Sequence, residues 1–172
     1  MDKKIDIEKV KAFAEEKHKG QKYGKLDYFT GHILEVYKEM CKLNGKVEEE
    51  TYETAIIVAL LHDTIEDTDT TREELEKTFN KEVADAVSSL TRQKGESYLD
   101  YLLKVINFGG AALYVKYADL NVNIRTSVQE LQSGQLQFDV KRMYKQRLEK
   151  YELARHIVVK AIKEYEHVDV EV

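Results

Sequence analysis

Proline is absent from the 172 residues, glycine occurs only 8 times and cysteine once. A chain without proline loses none of its helices to a missing N–H or a ring clash, and Glu, Lys, Leu and Ala dominate its long stretches. An all-α protein is expected, with about seven to nine helices in a single domain over residues 1–172. The lone Cys41 has no second cysteine for a disulfide or a thiolate metal site, which favours a reducing compartment such as the cytoplasm. Long apolar runs are missing too. The longest is Ala55 to Leu61, far short of the roughly 20 residues that cross a bilayer. The N-terminus Met1-Asp2-Lys3-Lys4 alternates in charge instead of leading into an apolar stretch, so neither secretion nor membrane insertion is expected. An excess of positive charge is lacking as well: 27 Lys and Arg face 32 Asp and Glu, a net charge of -5. That balance excludes a general nucleic-acid binder, which needs a basic face, and the 11 tyrosines are too dispersed for a base-stacking platform. An anionic ligand would instead need a local positive site, such as a metal ion.

What is present is periodic. Ile7, Val10, Phe13 and Ala14 mark an opening amphipathic helix over about 6–19, closed near Gly20, with a loop over 21–30. A second helix runs from Ile33 to Met40, with His32 at its N-terminal edge. From about Glu50 to Leu61 the residues are apolar on almost every side, as in a helix buried mid-domain, and this run ends in His62-Asp63. Thr70 to Glu74 is a capped helix start; Val83 to Leu90 and Tyr98 to Val105 continue the pattern, and Gly109-Gly110 interrupts it. A further apolar run leads into Asp119 and Asn123, Ser133-Gly134 makes a loop, and Val140 to Ile162 supports a long closing helix with a frayed end from Glu166.

The chemistry gathers where the apolar helices end. Leu60-Leu61-His62-Asp63-Thr64-Ile65-Glu66-Asp67-Thr68 places two acids four residues beyond His62 and Asp63, so that each pair stacks on one face if the helix persists. Tyr114 to Thr126 repeats the theme, since Asp119 follows an apolar run and Asn123 shares its face; an acid in that setting needs a partner. Of the other histidines, His18 reads as a helix-end residue and His156 and His167 as surface residues.

The order of these motifs, His32, then His62-Asp63 with Glu66-Asp67, then Asp119 with Asn123, resembles the hydrolase domain of the Rel/SpoT alarmone enzymes and the small stand-alone alarmone hydrolases, over roughly residues 7–130. The resemblance implies an HD-type helical bundle and one divalent ion, usually manganese, held by His32, His62, Asp63 and Asp119. It implies that Glu66 and Asp67 orient or deprotonate the attacking water, and that Asn123 and Thr126 lie against a nucleotide. Arg147 and Tyr151 resemble an Arg-x-x-x-Tyr pair that reaches the nucleotide in the small hydrolases. Where that pattern has Arg-Lys ahead of the first metal-binding His, this chain has Tyr23-Gly24, with Tyr23 placed to stack on a purine; the Pro-Tyr before the same His becomes Tyr28-Phe29.

The activity so implied is hydrolysis of a nucleotide 3′-pyrophosphate of the (p)ppGpp kind, or its adenine analogue, releasing pyrophosphate, with the small-molecule nucleotide as partner and no synthetase half. Two alternatives stand beside it. One is a broader HD nucleotidase acting on ordinary nucleotides. The other is a helical module that binds a nucleotide without turning it over.

Overall fold

The computed structural model describes residues 5–134 and 136–166, and among these nine α-helices and one two-stranded ribbon account for the architecture. They run α1 (Ile7–Lys17), β1 (Lys22–Tyr23), β2 (Leu26–Asp27), α2 (Leu34–Cys41), α3 (Glu49–Leu61), α4 (Thr64–Asp67), α5 (Arg72–Thr78), α6 (Lys81–Leu90), α7 (Tyr98–Phe108), α8 (Gly110–Gln132) and α9 (Phe138–Ala161). Wide π-helical turns occupy Phe29–Ile33 and Ile162–Glu166. The all-α expectation holds. The 21–30 loop is in fact organised, because β1 and β2 pair antiparallel with Tyr23 opposite Leu26. The proposed fraying from Glu166 and the surface placement of His167 fall mostly or wholly outside the described residues.

With no proline to punctuate it, the chain is divided by polar caps and glycine. Asp6 accepts from the Glu8 N–H at 3.0 Å, Asn80 from Val83 at 2.8 Å, and Ser97 from Asp100 at 3.0 Å, each satisfying an orphan donor of a first helical turn. Thr71 does the same for Glu74, as the 70–74 pattern predicts. Between α7 and α8 the turn is made by Gly109 at φ 70° and ψ -154°, a conformation open to glycine and strained for any residue with a Cβ.

Two helices form the centre. Thr54 to Leu61 of α3 and Ala111 to Leu120 of α8 are buried without a break, so neither has a solvent face over that span. α3 packs on α8, on α2, and on α1 and α6; α8 is also covered by α2, α7 and α9. Leu60, Leu61, Leu113, Leu120, Ile33 and Met40 are among the large side chains sealed in this crossing. Each contributes roughly 1.5–3 kcal/mol of burial, which fixes α2, α3 and α8 against one another. His32 enters the site from the turn before α2, His62-Asp63 from the end of α3, and Asp119 from the third turn of α8, so the same packing assembles the polar groups.

Truncation at this crossing is therefore expected to be severe. Leu60→Ala should lower the free energy of unfolding by about 2–5 kcal/mol in denaturant titration, whereas Leu153→Ala, at a position 64% exposed on α9, should change it by less than about 0.5 kcal/mol.

Candidate metal centre

The α3 helix stops at Leu61, and the chain turns through His62 and Asp63 before α4 resumes. The continuous helix considered for this stretch does not form. Thr64 Oγ1 donates to the Leu61 carbonyl at 2.6 Å, and the Asp67 N–H reaches the Asp63 carbonyl at 2.9 Å, so Asp63 and Asp67 still lie one turn apart. His62 and Asp63 meet at one point. His62 Nε2 lies 3.3 Å from His32 Nε2 and 3.0 Å from Asp63 Oδ2; His32 Nε2 lies 3.3 Å from that same Oδ2 and 3.4 Å from Asp119 Oδ1.

These four groups fit a divalent ion on their own chemistry. The Nδ1–H of His62 donates to the Ala59 carbonyl at 2.9 Å, which fixes the tautomer and turns the Nε2 lone pair into the site. Donor atoms of His32, His62 and Asp119, all buried, lie within 4.8 Å of one another, and two imidazoles with carboxylate oxygens suit a first-row divalent ion. Each carboxylate is held from outside. Asp119 Oδ2 accepts from Lys116 Nζ at 2.8 Å and its Oδ1 accepts from Asn123 Nδ2, while Asp63 Oδ2 accepts from the Tyr28 hydroxyl at 2.7 Å. Burial works against charge on Asp119, but the Lys116 ammonium and the His32 imidazole outweigh it and hold the carboxyl well below the usual carboxylate range. The same balance acts on His32. Burial disfavours its charged form, yet hydrogen bonds to Asp119 and Asp63 push it up to about 9.

Residues 11–108 match the HD domain family. The chain belongs to it. Among proteins similar in sequence to this HD domain, a "GTP pyrophosphokinase rsh" of Brucella melitensis is 35% identical over 130 residues, covering 70% of this chain and 16% of that protein. A guanosine-3′,5′-bis(diphosphate) 3′-pyrophosphohydrolase of Aquifex aeolicus is 33% identical over 129 residues, 70% of this chain and 18% of its own length. A "Guanosine-3′,5′-bis(diphosphate) 3′-pyrophosphohydrolase MESH1" of Danio rerio is 39% identical over 84 residues, 48% of this chain and 44% of that one. The chain thus spans under a fifth of the length of the first two relatives. A metazoan ortholog of SpoT that hydrolyses ppGpp shares the fold at a TM-score of 0.60 and 20% identity, covering 90% of this chain and 93% of that structure.

Every site residue named from the sequence lines one cavity of about 1050 Å³ in the HD domain. Glu66 Oε2 accepts the Arg92 N–H at 2.7 Å from the turn after α6. Burial raises the Glu66 carboxyl above its ordinary range, opposed by that N–H, and burial with the neighbouring Asp63 charge raises Asp67. Tyr23 turns one ring face onto His32, with centroids 4.9 Å apart and planes at 28°, and its hydroxyl donates to Asn123 Oδ1 at 3.2 Å. Asn123 therefore bridges Tyr23 and Asp119, and Thr126 lines the same cavity. Arg147 and Tyr151 enter the cavity from α9, where Lys150 Nζ stands 4.7 Å from the ring centroids of both Tyr98 and Tyr151. His18 caps α1 and is buried, and His156 is exposed, both as read from the sequence.

Tyr28, Lys116, Arg92 and Lys150 escaped the sequence reading. For Lys116 a signal existed: a lysine inside the run Leu113 to Leu120, three residues before Asp119, has to find a buried acid. For Tyr28 and Arg92 there was none, because their partners come from distant segments.

The raised His32 predicts a proton balance. A group with a pKa of about 9 carries its proton at pH 7.5, and that proton has to leave when a divalent ion takes the Nε2 lone pair. Calorimetric titration with manganese in two buffers of different ionisation enthalpy should show release of at least one proton per ion at pH 7.5. Apparent affinity should rise with pH until about pH 9 and level off above it.

Proposed function

We propose that this HD domain is a metal-dependent phosphohydrolase that removes the 3′-pyrophosphate of a (p)ppGpp-like guanosine nucleotide or its adenine analogue, with manganese as the ion. The observation that carries the reading is the cleft's lining. One cavity is lined both by the four ligand groups with Glu66 and Asp67 and by the cations Arg92, Arg147 and Lys150. Among the described residues, no carboxylate lies within 4.0 Å of those three cations. A small phosphate-bearing anion matches that lining. The names of the Aquifex and Danio relatives point the same way. The partner is a small nucleotide and no nucleic acid, and the setting is the cytoplasm, where a lone thiol such as Cys41 stays reduced.

A divalent ion at His32, His62, Asp63 and Asp119 supplies Lewis-acid activation of water near neutral pH and offsets charge on the phosphoryl oxygens. The residues of the chain do the rest. Glu66, held by the Arg92 N–H and raised in pKa, accepts a proton from the attacking water, and Asp67 shares that task from the next position. Water adds its oxygen to the phosphorus borne on the 3′ oxygen, the bond between them breaks, a proton returns to the 3′ oxygen, and pyrophosphate leaves. Asn123 and Thr126 present polar groups to the nucleotide beside Tyr23, while Arg147, Lys150 and Tyr151 face its remaining phosphates.

A second reading, a broader HD nucleotidase, is favoured by one observation: Tyr23-Gly24 stands in place of Arg-Lys, and Tyr23 spends one ring face on His32. Product analysis separates the two. Purified protein with manganese should release pyrophosphate from ppGpp or its adenine counterpart and nothing from ordinary nucleotides; phosphate from the latter establishes the nucleotidase, and no product from any of them establishes a binding module. Asp63→Ala should abolish metal binding and turnover together. Glu66→Gln should keep the metal and lower kcat by about 10²–10⁴-fold, and wild-type rates in both variants would sink the mechanism.

A further inference from the structure

Tyr28 is the contact to a metal-site carboxylate that neither the motif order nor the helical periodicity required. It lies between the ribbon and the π-helical turn that delivers His32, and its backbone N–H is pinned to the Gln21 carbonyl at 3.0 Å. The ring is fully used in packing. It stacks on His18 with centroids 5.1 Å apart and planes at 27°, meets His32 at 5.3 Å, and takes the edge-to-face position against Tyr23 at 5.9 Å. Phenylalanine would make all of these contacts. What tyrosine adds is one hydroxyl, which costs free energy to desolvate unless it finds a partner, and the partner is Asp63 Oδ2 at 2.7 Å.

That oxygen is the one that faces both imidazoles, 3.0 Å from His62 Nε2 and 3.3 Å from His32 Nε2. A carboxylate oxygen has about two lone-pair sites. The phenol occupies one and leaves the other directed at the two histidines, which sets Asp63 as a donor through a single, fixed oxygen. The phenol is itself braced from behind. His18, buried beneath it, pairs its Nδ1 with Gln21 Oε1 at 2.8 Å, and Gln21 Nε2 donates to the Asp67 carbonyl at 2.6 Å. One loop therefore grips both the Asp63 carboxylate and the far end of α4. The pattern that this region resembles has proline at this position, and proline has no hydroxyl to give.

We propose that Tyr28 is a positioning residue for the metal centre: its hydroxyl fixes Asp63 Oδ2 in the ligating orientation and so sets how tightly this chain holds its divalent ion. The inference rests on the metal reading of the site and not on the identity of the nucleotide. Removing a hydrogen bond to a ligating group typically weakens metal binding by about 10–100-fold.

The test is a manganese titration of the whole chain, followed by the electron paramagnetic resonance signal of the free ion and without any substrate. Wild type should bind one ion. Tyr28→Phe, which keeps the ring stack, should bind it about 10–100-fold more weakly, with a thermal midpoint of the metal-free protein close to that of wild type. Tyr37→Phe, which deletes a hydroxyl on α2 away from the cleft, should bind as wild type does. Manganese affinity within twofold of wild type in Tyr28→Phe overturns the positioning role and leaves the metal centre standing, whereas a wild-type chain that binds no manganese overturns both. Should Tyr28→Phe fail to fold, Gln21→Ala loosens the same phenol from behind; weaker manganese binding in that variant supports the role, and unchanged binding overturns it.

Discussion

The constraint on which the structure depends is the placement of two carboxylates at the crossing of its two most apolar helices. Asp119 is buried on α8, and Asp63 opens only partly to the cleft. Moving a carboxylate out of water costs several kcal/mol even after relaxation, so the fold can hold these two only by surrounding them. Lys116, Asn123 and His32 meet Asp119, while Tyr28, His62 and His32 meet Asp63. The apolar faces of α2, α3 and α8 supply the free energy that holds this cluster together. The cluster in turn accounts for local features that packing alone does not: a lysine inside a buried run, a helix that breaks at Asp63, and a wide turn before α2.

That wide turn and the helix break serve one geometric end. A straight α3 would carry His62 and Asp63 to different sides of one cylinder, since consecutive helical residues diverge by about 100°. α3 ends at Leu61, His62 and Asp63 nevertheless meet at 3.0 Å, and the Thr64 hydroxyl takes up the Leu61 carbonyl. On the opposite side Gly31 lets the ribbon approach. A Cβ there would lie 2.9 Å from Leu26 Cβ and 3.4 Å from Tyr23 Cβ, so the absence of a side chain brings Tyr23 close enough to stack on His32. Positions on four separate segments thus converge because each local irregularity is tolerated by a rigid apolar frame.

How far this was legible in the sequence depended on whether the signal was periodic. The buried α3 was plain from Ala55 to Leu61, and a His-Asp pair closing such a helix marked the chemistry before any fold was known. The same holds for Asp119 after its apolar run, and for the capped start at Thr71. Two-residue strands carry no period, so the ribbon read as loop. The ending of α3 at Leu61 was hidden because Thr64, Glu66 and Asp67 are all compatible with a continuing helix, and only the demand of the cluster decides against it. Tyr28 and Arg92 were invisible for a different reason: each acts through one hydrogen bond to a segment at least 26 residues away.

The charge of the chain and the charge of its cleft point in opposite directions, and the difference bears on selectivity. The chain carries a net charge of -5, yet Arg92, Arg147 and Lys150 line its cavity. Burial and the repulsion of Lys116, Arg147 and Arg92 lower the pKa of Lys150, so its neighbours gain from a bound anion. The rings of Tyr98 and Tyr151 hold the ammonium by their faces in place of a carboxylate. An aromatic face steadies a cation without neutralising it, which leaves the positive potential available to a ligand. A salt bridge at the same point would have cancelled it. The cleft therefore keeps a local positive potential in a chain whose overall charge is negative.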